Sequence, residues 1–293
     1  MAEREWTVRE VLAWTSGHFE KGGVPSPRLN AELLLADVLK LPARLNLLLE
    51  PDRKLTEEER GAYREFVKRR MEREPTAHIL GSWGFYKRDF ALSPEVLTPR
   101  SETELVADRA VLWAKQNGAR LAADVGTGSG CLAVTLALEV PGIRVLATDV
   151  SSAALEVARE NAARLQAAER VEFLEGDLLS ALEAGSRGPG GLDLIASNPP
   201  YIPSGEIEKL MPEIANYEPR LALDGGADGL DFYRRLAPEC AKWLRPGGAL
   251  VLEIGEGQGA ALRDIFGSEG AYAGLEVSDD LAGLERVFFA TRK

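Results

Sequence analysis

Apolar residues recur at intervals of three and four through VREVLAWTSGHF (8–19), PRLNAELLLADVLKL (27–41) and TEEERGAYREFVKRRMERE (56–74), the period of amphipathic helices. Residues 1–75 therefore read as a helical domain. The third helix opens on a Thr cap and an acidic turn and ends basic, the charge order that the helix dipole favours, and Pro75 closes it. Its basic end, KRRMERE (68–74), reads as a solvated helix face rather than a nucleic-acid contact. Residues 76–98, with Gly81, Gly84 and the alternating FYKRDFALS, read as a β-hairpin linker. From residue 99 to 293 the pattern changes. LAADV, RVLATDV, RVEFLEGD, LDLIASN, ALVLEIG and the terminal RVFFATRK are short apolar strands, with helical stretches such as SSAALEVARENAARLQ between them. That alternation predicts an α/β domain with a parallel sheet covered on both faces. EAGSRGPGG (183–191) reads as a flexible loop, and no internal repeat or low-complexity tract is found.

Composition narrows the class. The 293 residues, 45% hydrophobic and 28% charged, are ordinary for a soluble globular protein of one large or two smaller domains. The longest uncharged apolar run, Cys131 to Leu138, is far short of the ~20 residues that a membrane span needs. The start, MAEREWTVRE, has no apolar segment of the kind a secretory signal requires. Cys131 and Cys240 stand far apart and in no CxxC pattern, which argues against a disulfide framework or a zinc site and fits a reducing cytoplasm. His18 and His78 form no spaced pair, so no metal is expected. The net charge of −11 is carried entirely by residues 96–293, while residues 1–95 are balanced. A duplex-binding protein would carry a basic stripe instead.

The first α/β strand runs into Asp124-Val125-Gly126-Thr127-Gly128-Ser129-Gly130 and then an apolar helix. Glycines let a backbone approach a ligand closely, and a helix start offers free N–H groups. A dinucleotide fingerprint would place a third glycine later, where Cys131 and Leu132 stand. The second strand ends in Asp149, a carboxylate placed to accept both hydroxyls of a ribose or, alternatively, to cap the following helix. The third ends in Gly176-Asp177-Leu178, where an adenine would lie, although Asp177 also suits a plain turn. Together these describe a nucleoside site without a pyrophosphate grip, which suits S-adenosyl-L-methionine better than NAD. Asp124 is placed to orient an amino group or to fix the loop backbone.

The fourth strand delivers Ser197-Asn198-Pro199-Pro200-Tyr201 at the carboxyl edge, where open α/β sheets bind ligands. Each proline forces the residue before it into an extended conformation. The Asn198 side-chain oxygen and the Pro199 carbonyl can then be aimed at one point, as two acceptors for the two N–H groups of a planar NH2. Tyr201 is expected to supply a flat wall.

At this point the chain resembles the PrmC/HemK family of peptide-chain-release-factor glutamine methyltransferases. The likeness is carried by SPRLNAELLLADVL (26–39), EPTAHILGSWGFYKRDFALSPEVLTPRSETELV (74–106), DVGTGSG, SNPPYIP and EPRLALDGGADGLDFYRRL (218–236). It implies a Rossmann-like, mostly parallel seven-stranded methyltransferase sheet with a small helical domain in front, joined by a β-hairpin. It also implies methyl transfer from S-adenosyl-L-methionine to the side-chain amide N5 of the glutamine in a release factor's Gly-Gly-Gln motif. His78, Thr98 and Ser101 stand where the family commonly has Tyr, Ile and Pro, and Leu178 where some relatives have an aromatic, which leaves apolar contact with adenine in place of stacking.

The cofactor site is thus expected at Asp124, Gly126, Thr127, Gly128, Ser129, Gly130, Asp149, Asp177 and Leu178, with Asn198 shared. Asn198, Pro199, Pro200 and Tyr201 are expected to hold the substrate, and Asn198, Pro199 and Tyr201 to carry catalysis. Residues 1–75 are expected to recognise the release factor, since one glutamine is too small a target for selectivity. The protein is expected to act in the cytoplasm as a monomer, with no membrane and no direct nucleic-acid partner. Two rivals stand beside this reading: an adenine-N6 DNA methyltransferase, for which no target-recognition domain or basic patch is seen, and a non-catalytic binding module that keeps the fold.

Overall fold

The computed structural model describes residues 5–184 and 188–293. The chain divides into two units, one of Met1–Ser82 with Met211–Tyr217 and one of Trp83–Leu210 with Glu218–Lys293. In the first, α1 (Val8–Lys21) starts at a reciprocal capping box, Thr7 with Glu10, and α2 (Pro27–Val38) starts on a proline that gives up no hydrogen bond there. A 3-10 turn (Arg44–Leu48) follows, then α3 (Glu57–Met71), capped by Thr56 and Glu59. Phe19, Leu34 and Leu35 are fully buried where α1, α2 and α3 meet, and the Tyr63 hydroxyl donates to the Ala31 carbonyl at 3.0 Å. The stretch read wholly as a hairpin linker begins instead with a helix, α4 (Thr76–Leu80), ended by Gly81 in the left-handed region.

The hairpin itself is β1 (Ser82–Phe85) and β2 (Arg88–Ala91), and Tyr86 and Lys87 both take positive φ to make its two-residue turn. After it come α5 (Thr103–Gln116), β3 (Leu121–Val125), α6 (Cys131–Glu139), β4 (Arg144–Asp149), α7 (Ser152–Arg164), β5 (Val171–Glu175) and β6 (Leu192–Ser197). Then follow α8 (Pro212–Ala215), α9 (Asp231–Trp243), β7 (Leu244–Glu253), α10 (Gly259–Ser268), β8 (Tyr272–Asp279) and β9 (Glu285–Arg292). The seven strands of the main sheet are ordered β5-β4-β3-β6-β7-β9-β8. All neighbours are parallel except those of β9, which runs against β7 and β8. Apolar clusters cover both faces, one built largely from α5, α6 and α7 and the other from α9 and α10. β8 is an edge strand whose exposed positions, among them Ala273, Gly274 and Glu276, break the apolar alternation, so it was not visible as a strand in the sequence. The expected loop at 183–191 begins inside a 3-10 turn (Leu178–Ala184), and its residues 185–187, like residues 1–4 of the chain start, lie outside the described residues.

The sheet order reverses beside β3. From β3 the chain winds outward through β4 and β5, then returns to add β6 on the other side of β3. This is the switch point, where the loops after two adjacent parallel strands diverge and leave a crevice.

The solvated reading of KRRMERE holds for Lys68 and Glu72, which are exposed, but not for Arg70, which is 2% exposed. Its guanidinium donates to Glu213 at 2.7 Å and to Asn30 at 3.0 Å, and Arg73 donates to the second Glu213 oxygen at 2.7 Å. Burial alone would push the Glu213 carboxyl up; the two guanidiniums outweigh it and hold it below the ordinary value. Removing one partner of a buried pair strands the other, which costs about 3–5 kcal/mol. Glu213→Ala is therefore expected to lower unfolding free energy by that amount in denaturant titration. Because the folded carboxyl is the more acidic, the wild-type advantage is full above the ordinary carboxylate range. It fades as pH falls through the depressed value.

Candidate functional site

The loop after β3 is shaped by three glycines with positive φ, Gly126, Gly128 and Gly130. At Gly126 and Gly128 a side chain would meet only open space, so their absence leaves the backbone bare toward a ligand. Gly130 differs: a Cβ there would sit 3.0 Å from that of Ala158, so glycine allows α6 and α7 to approach. The loop is pinned from β4, since Gly126 and Thr127 both donate to the Thr148 carbonyl at 2.9 Å and Gly128 N–H donates to Asp149 at 2.9 Å.

Asp124 ends up 1% exposed beneath this loop. One carboxylate oxygen accepts from the Thr127 hydroxyl at 2.7 Å and from Ala133 N–H at 3.0 Å. The other, Oδ1, has no hydrogen-bond partner among the described residues. Burial pushes this carboxyl up to about 7, against the pull of Thr127 and Ala133 and with help from the Asp149 charge. An acceptor with an unfilled site and a raised pKa is a receptor for a cation, such as an ammonium.

Asp149 is half-buried, and its two oxygens accept from Ser151 N–H and Gly128 N–H, both at 2.9 Å. The cap of α7 is Ser151, whose hydroxyl accepts from Ala154 N–H. Asp149 therefore does not cap the helix itself; each of its oxygens retains a second acceptor position. Asp177 is exposed and paired with Arg235, and its carbonyl accepts from Ser180 in the turn that follows. Leu178 is buried in a left-handed conformation, φ 52°, that is rare for a non-glycine residue.

These residues line one cavity of about 340 Å³ at the switch point. Asp124, the loop residues Gly126, Thr127, Gly128 and Ser129, then Asp149, Asp177 and Leu178, and Asn198, Pro199 and Pro200 all belong to its lining. Two expected residues stand outside that lining. Gly130 caps α6, and Tyr201 packs behind NPP with its hydroxyl donating to Glu253 at 3.2 Å. An unsatisfied buried carboxylate, an open acceptor pair at Asp149 and the apolar Leu178 fit the ammonium, the ribose hydroxyls and the face of the adenine of S-adenosyl-L-methionine.

Sequence reasoning missed Thr103 and Glu253. Glu253, at the end of β7 and 1% exposed, accepts from the Thr103 hydroxyl at 2.6 Å, and Thr103 accepts from the Asn198 side-chain N–H at 3.1 Å. Burial pushes Glu253 up to about 7 despite the Thr103 and Tyr201 hydroxyls. A lone Glu inside the apolar run ALVLEIG was the available signal. Arg100, at the cavity wall, pairs with buried Glu218 at 2.6 Å.

Among the described residues no helix is long and apolar enough to cross a membrane, and no group of three His, Cys, Asp or Glu side chains is placed to hold a metal. The family model described as PrmC N-terminal domain matches residues 10–81, and that described as Methyltransferase small domain matches residues 109–217. The release factor glutamine methyltransferase of Geobacter sulfurreducens is 43% identical over 282 residues, 96% of this chain and 95% of that one. That of Moorella thermoacetica is 42% identical over 287 residues, 98% and 99% of the two chains. Among solved structures, a methyltransferase from Pyrococcus furiosus matches at TM-score 0.51 and 19% identity, covering 71% of this chain and 90% of its own. A ribosomal protein L11 methylase from Lactobacillus delbrueckii subsp. bulgaricus matches at 0.50 and 21%, covering 72% and 90%. The structures share the fold; the near-full-length identity to the curated relatives places this chain in the release factor glutamine methyltransferase family.

Proposed function

We propose that this protein transfers a methyl group from S-adenosyl-L-methionine to the side-chain amide N5 of the glutamine in the Gly-Gly-Gln motif of peptide chain release factors, in the cytoplasm. The observation that carries the reading is that Asn198 and Pro199 share one cavity with the glycine loop and the unsatisfied Asp124 oxygen. S-adenosyl-L-methionine supplies an electrophilic methyl on a sulfonium, which becomes a neutral thioether as the amide nitrogen gains the methyl and releases one proton. Asp124 is assigned to the ammonium, Asp149 to the ribose hydroxyls, and Leu178 to apolar contact with the base. Asn198 Oδ1 and the Pro199 carbonyl accept the two amide N–H groups. Held so, the weakly nucleophilic lone pair is aimed along one line, and positioning of this kind is worth roughly 7–11 kcal/mol. The same clamp suits the exocyclic amine of adenine, so duplex DNA is the control substrate; the acidic balance of residues 96–293 opposes DNA.

Asn198→Ala is expected to lower kcat by two orders of magnitude or more while S-adenosyl-L-methionine affinity stays within about twofold by calorimetry. A large loss of cofactor affinity with turnover preserved would reassign Asn198 to the nucleoside. Asp149→Ala should do the reverse and weaken cofactor binding by about 1.5–3 kcal/mol, the scale of hydrogen bonds to a charged group. An unchanged titration curve would leave Asp149 holding only Gly128 and Ser151.

Selection of one glutamine among many requires surface beyond the pocket, and a standard interface buries ~800 Å² per partner. We assign that recognition to the helical unit, where Leu45, Leu48 and Leu49 are 60%, 63% and 74% exposed side by side. Leu48→Ser combined with Leu49→Ser should reduce kcat/KM on whole release factor by about tenfold or more, a 1.4 kcal/mol loss. Methylation of a short Gly-Gly-Gln peptide should be unaffected. Equal rates on whole factor would move recognition elsewhere.

A further inference from the structure

Three side chains that do not adjoin in sequence form a relay behind the clamp: Asn198 at the end of β6, Thr103 at the start of α5 and Glu253 at the end of β7. We propose that Thr103 and Glu253 are positioning residues that fix which end of the Asn198 amide meets the substrate. The inference rests on the amide-methylation reading above and deepens it.

The hydrogens available along the chain of three side chains decide its direction. An ionised carboxylate can only accept, so at 2.6 Å the single Thr103 hydroxyl hydrogen is committed to Glu253. The Thr103 oxygen is then left only with lone pairs, and the Asn198 group facing it at 3.1 Å must be the NH2 end. With Nδ2 committed, Oδ1 is the end that remains for the substrate N–H. The opposite rotamer would offer the amide two donors where it needs acceptors, and the clamp would repel the group it is built to hold. Asn side chains do not choose between these orientations by shape, because oxygen and NH2 are nearly equal in size. The choice is electrostatic, and it is made at Glu253.

Protonation of Glu253 removes the choice. A carboxylic acid can donate to the Thr103 oxygen, which frees the Thr103 hydrogen to point at Asn198 and admits the reversed amide. Burial sets the Glu253 carboxyl near 7, with Glu102 pushing it further up and Arg286 on β9 pulling it down. The Tyr201 hydroxyl on its other oxygen also favours the ionised form, and the Tyr233 hydroxyl is occupied by the Glu253 backbone carbonyl at 2.8 Å. The Cys131 thiol, also sensitive to Glu253, is pushed up to about 12 and stays neutral in this range. Turnover should thus rise with pH through about 7 and level off as Glu253 becomes fully ionised.

The test measures kcat on a Gly-Gly-Gln peptide at saturating cofactor and peptide across that range, so that Asp124, which titrates nearby within the cofactor site, does not set the rate. Thr103→Val should lower kcat by about 10–100-fold with a flat pH profile. Thr103→Ser should restore both the rate and the acid limb. Glu253→Gln, a neutral amide that can turn either its oxygen or its NH2 to Thr103, loses the electrostatic choice and should hold kcat below the wild-type plateau with no change across pH. In the wild type, the infrared carboxyl band that Glu253→Gln abolishes should titrate together with kcat. Calorimetric cofactor binding should match wild type in all three variants, which shows that they are folded. The proposal is overturned if Thr103→Val keeps kcat within twofold, if Glu253→Gln retains the acid limb, or if the band titrates away from that limb. Those results with Asn198→Ala still inactive would sink only the relay. An Asn198→Ala enzyme with normal kcat would sink the clamp itself, and the relay with it.

Discussion

Everything in the catalytic unit depends on the pairing of β3 with β6. These strands are distant in sequence, yet their register sets Asp124 opposite Ala196 and Val125 opposite Ser197. The Ser197 hydroxyl fastens the two ends together by donating to the Val125 carbonyl at 2.6 Å. Because the strands are parallel and adjacent, the loops that leave them open on the same edge. The glycine loop and NPP thereby come to line one crevice. A slip of one residue would turn every side chain on β6 to the other face of the sheet and remove the wall.

A second theme is the use of buried carboxylates in an acidic chain. Asp124, Glu213, Glu218 and Glu253 are all less than a tenth exposed. Two of them, Glu213 and Glu218, are answered by arginine; Asp124 and Glu253 are answered only by hydroxyls and, for Asp124, a backbone N–H. The distinction is chemical. A guanidinium offsets a carboxylate's charge, although burial still raises the Glu218 carboxyl, whereas hydroxyls leave the charge uncompensated and burial lifts Asp124 and Glu253 to about 7. Asp124 lines the cavity directly, Glu253 reaches it through Thr103, and Glu218 reaches it through Arg100.

Much of this was legible from local signals. Thr56 and the acidic turn after it announced the start of α3 because a cap needs only a few neighbouring residues. The glycine loop and SNPPY were visible because their backbone geometry is written in adjacent residues. What stayed hidden were partners far apart in sequence. Thr103 and Glu253 are separated by 150 positions, and Arg70 and Glu213 by 143. Arg70 looked locally like part of a solvated basic face, and nothing near Thr103, Glu253 or Glu213 in the sequence points to their partners. Tyr201 was expected as a flat wall for the substrate, but it stands outside the cavity lining and packs against the core with its hydroxyl on Glu253, a long-range partner that NPPY alone does not reveal.

The discontinuous make-up of the helical unit bears on how the chain matures on the ribosome. Arg70 emerges long before its partner, since Glu213 is 143 residues downstream. At the usual synthesis rate of ~5–20 residues per second, that interval is about 7–30 s. During it the guanidinium has Asn30 and the Glu74 carbonyl within reach but not its carboxylate, so the packing around that ion pair waits for residue 213. The first part of the protein to be made is thus completed only after β3 to β6 have been translated, and any nascent-chain chaperone meets it in an unfinished state.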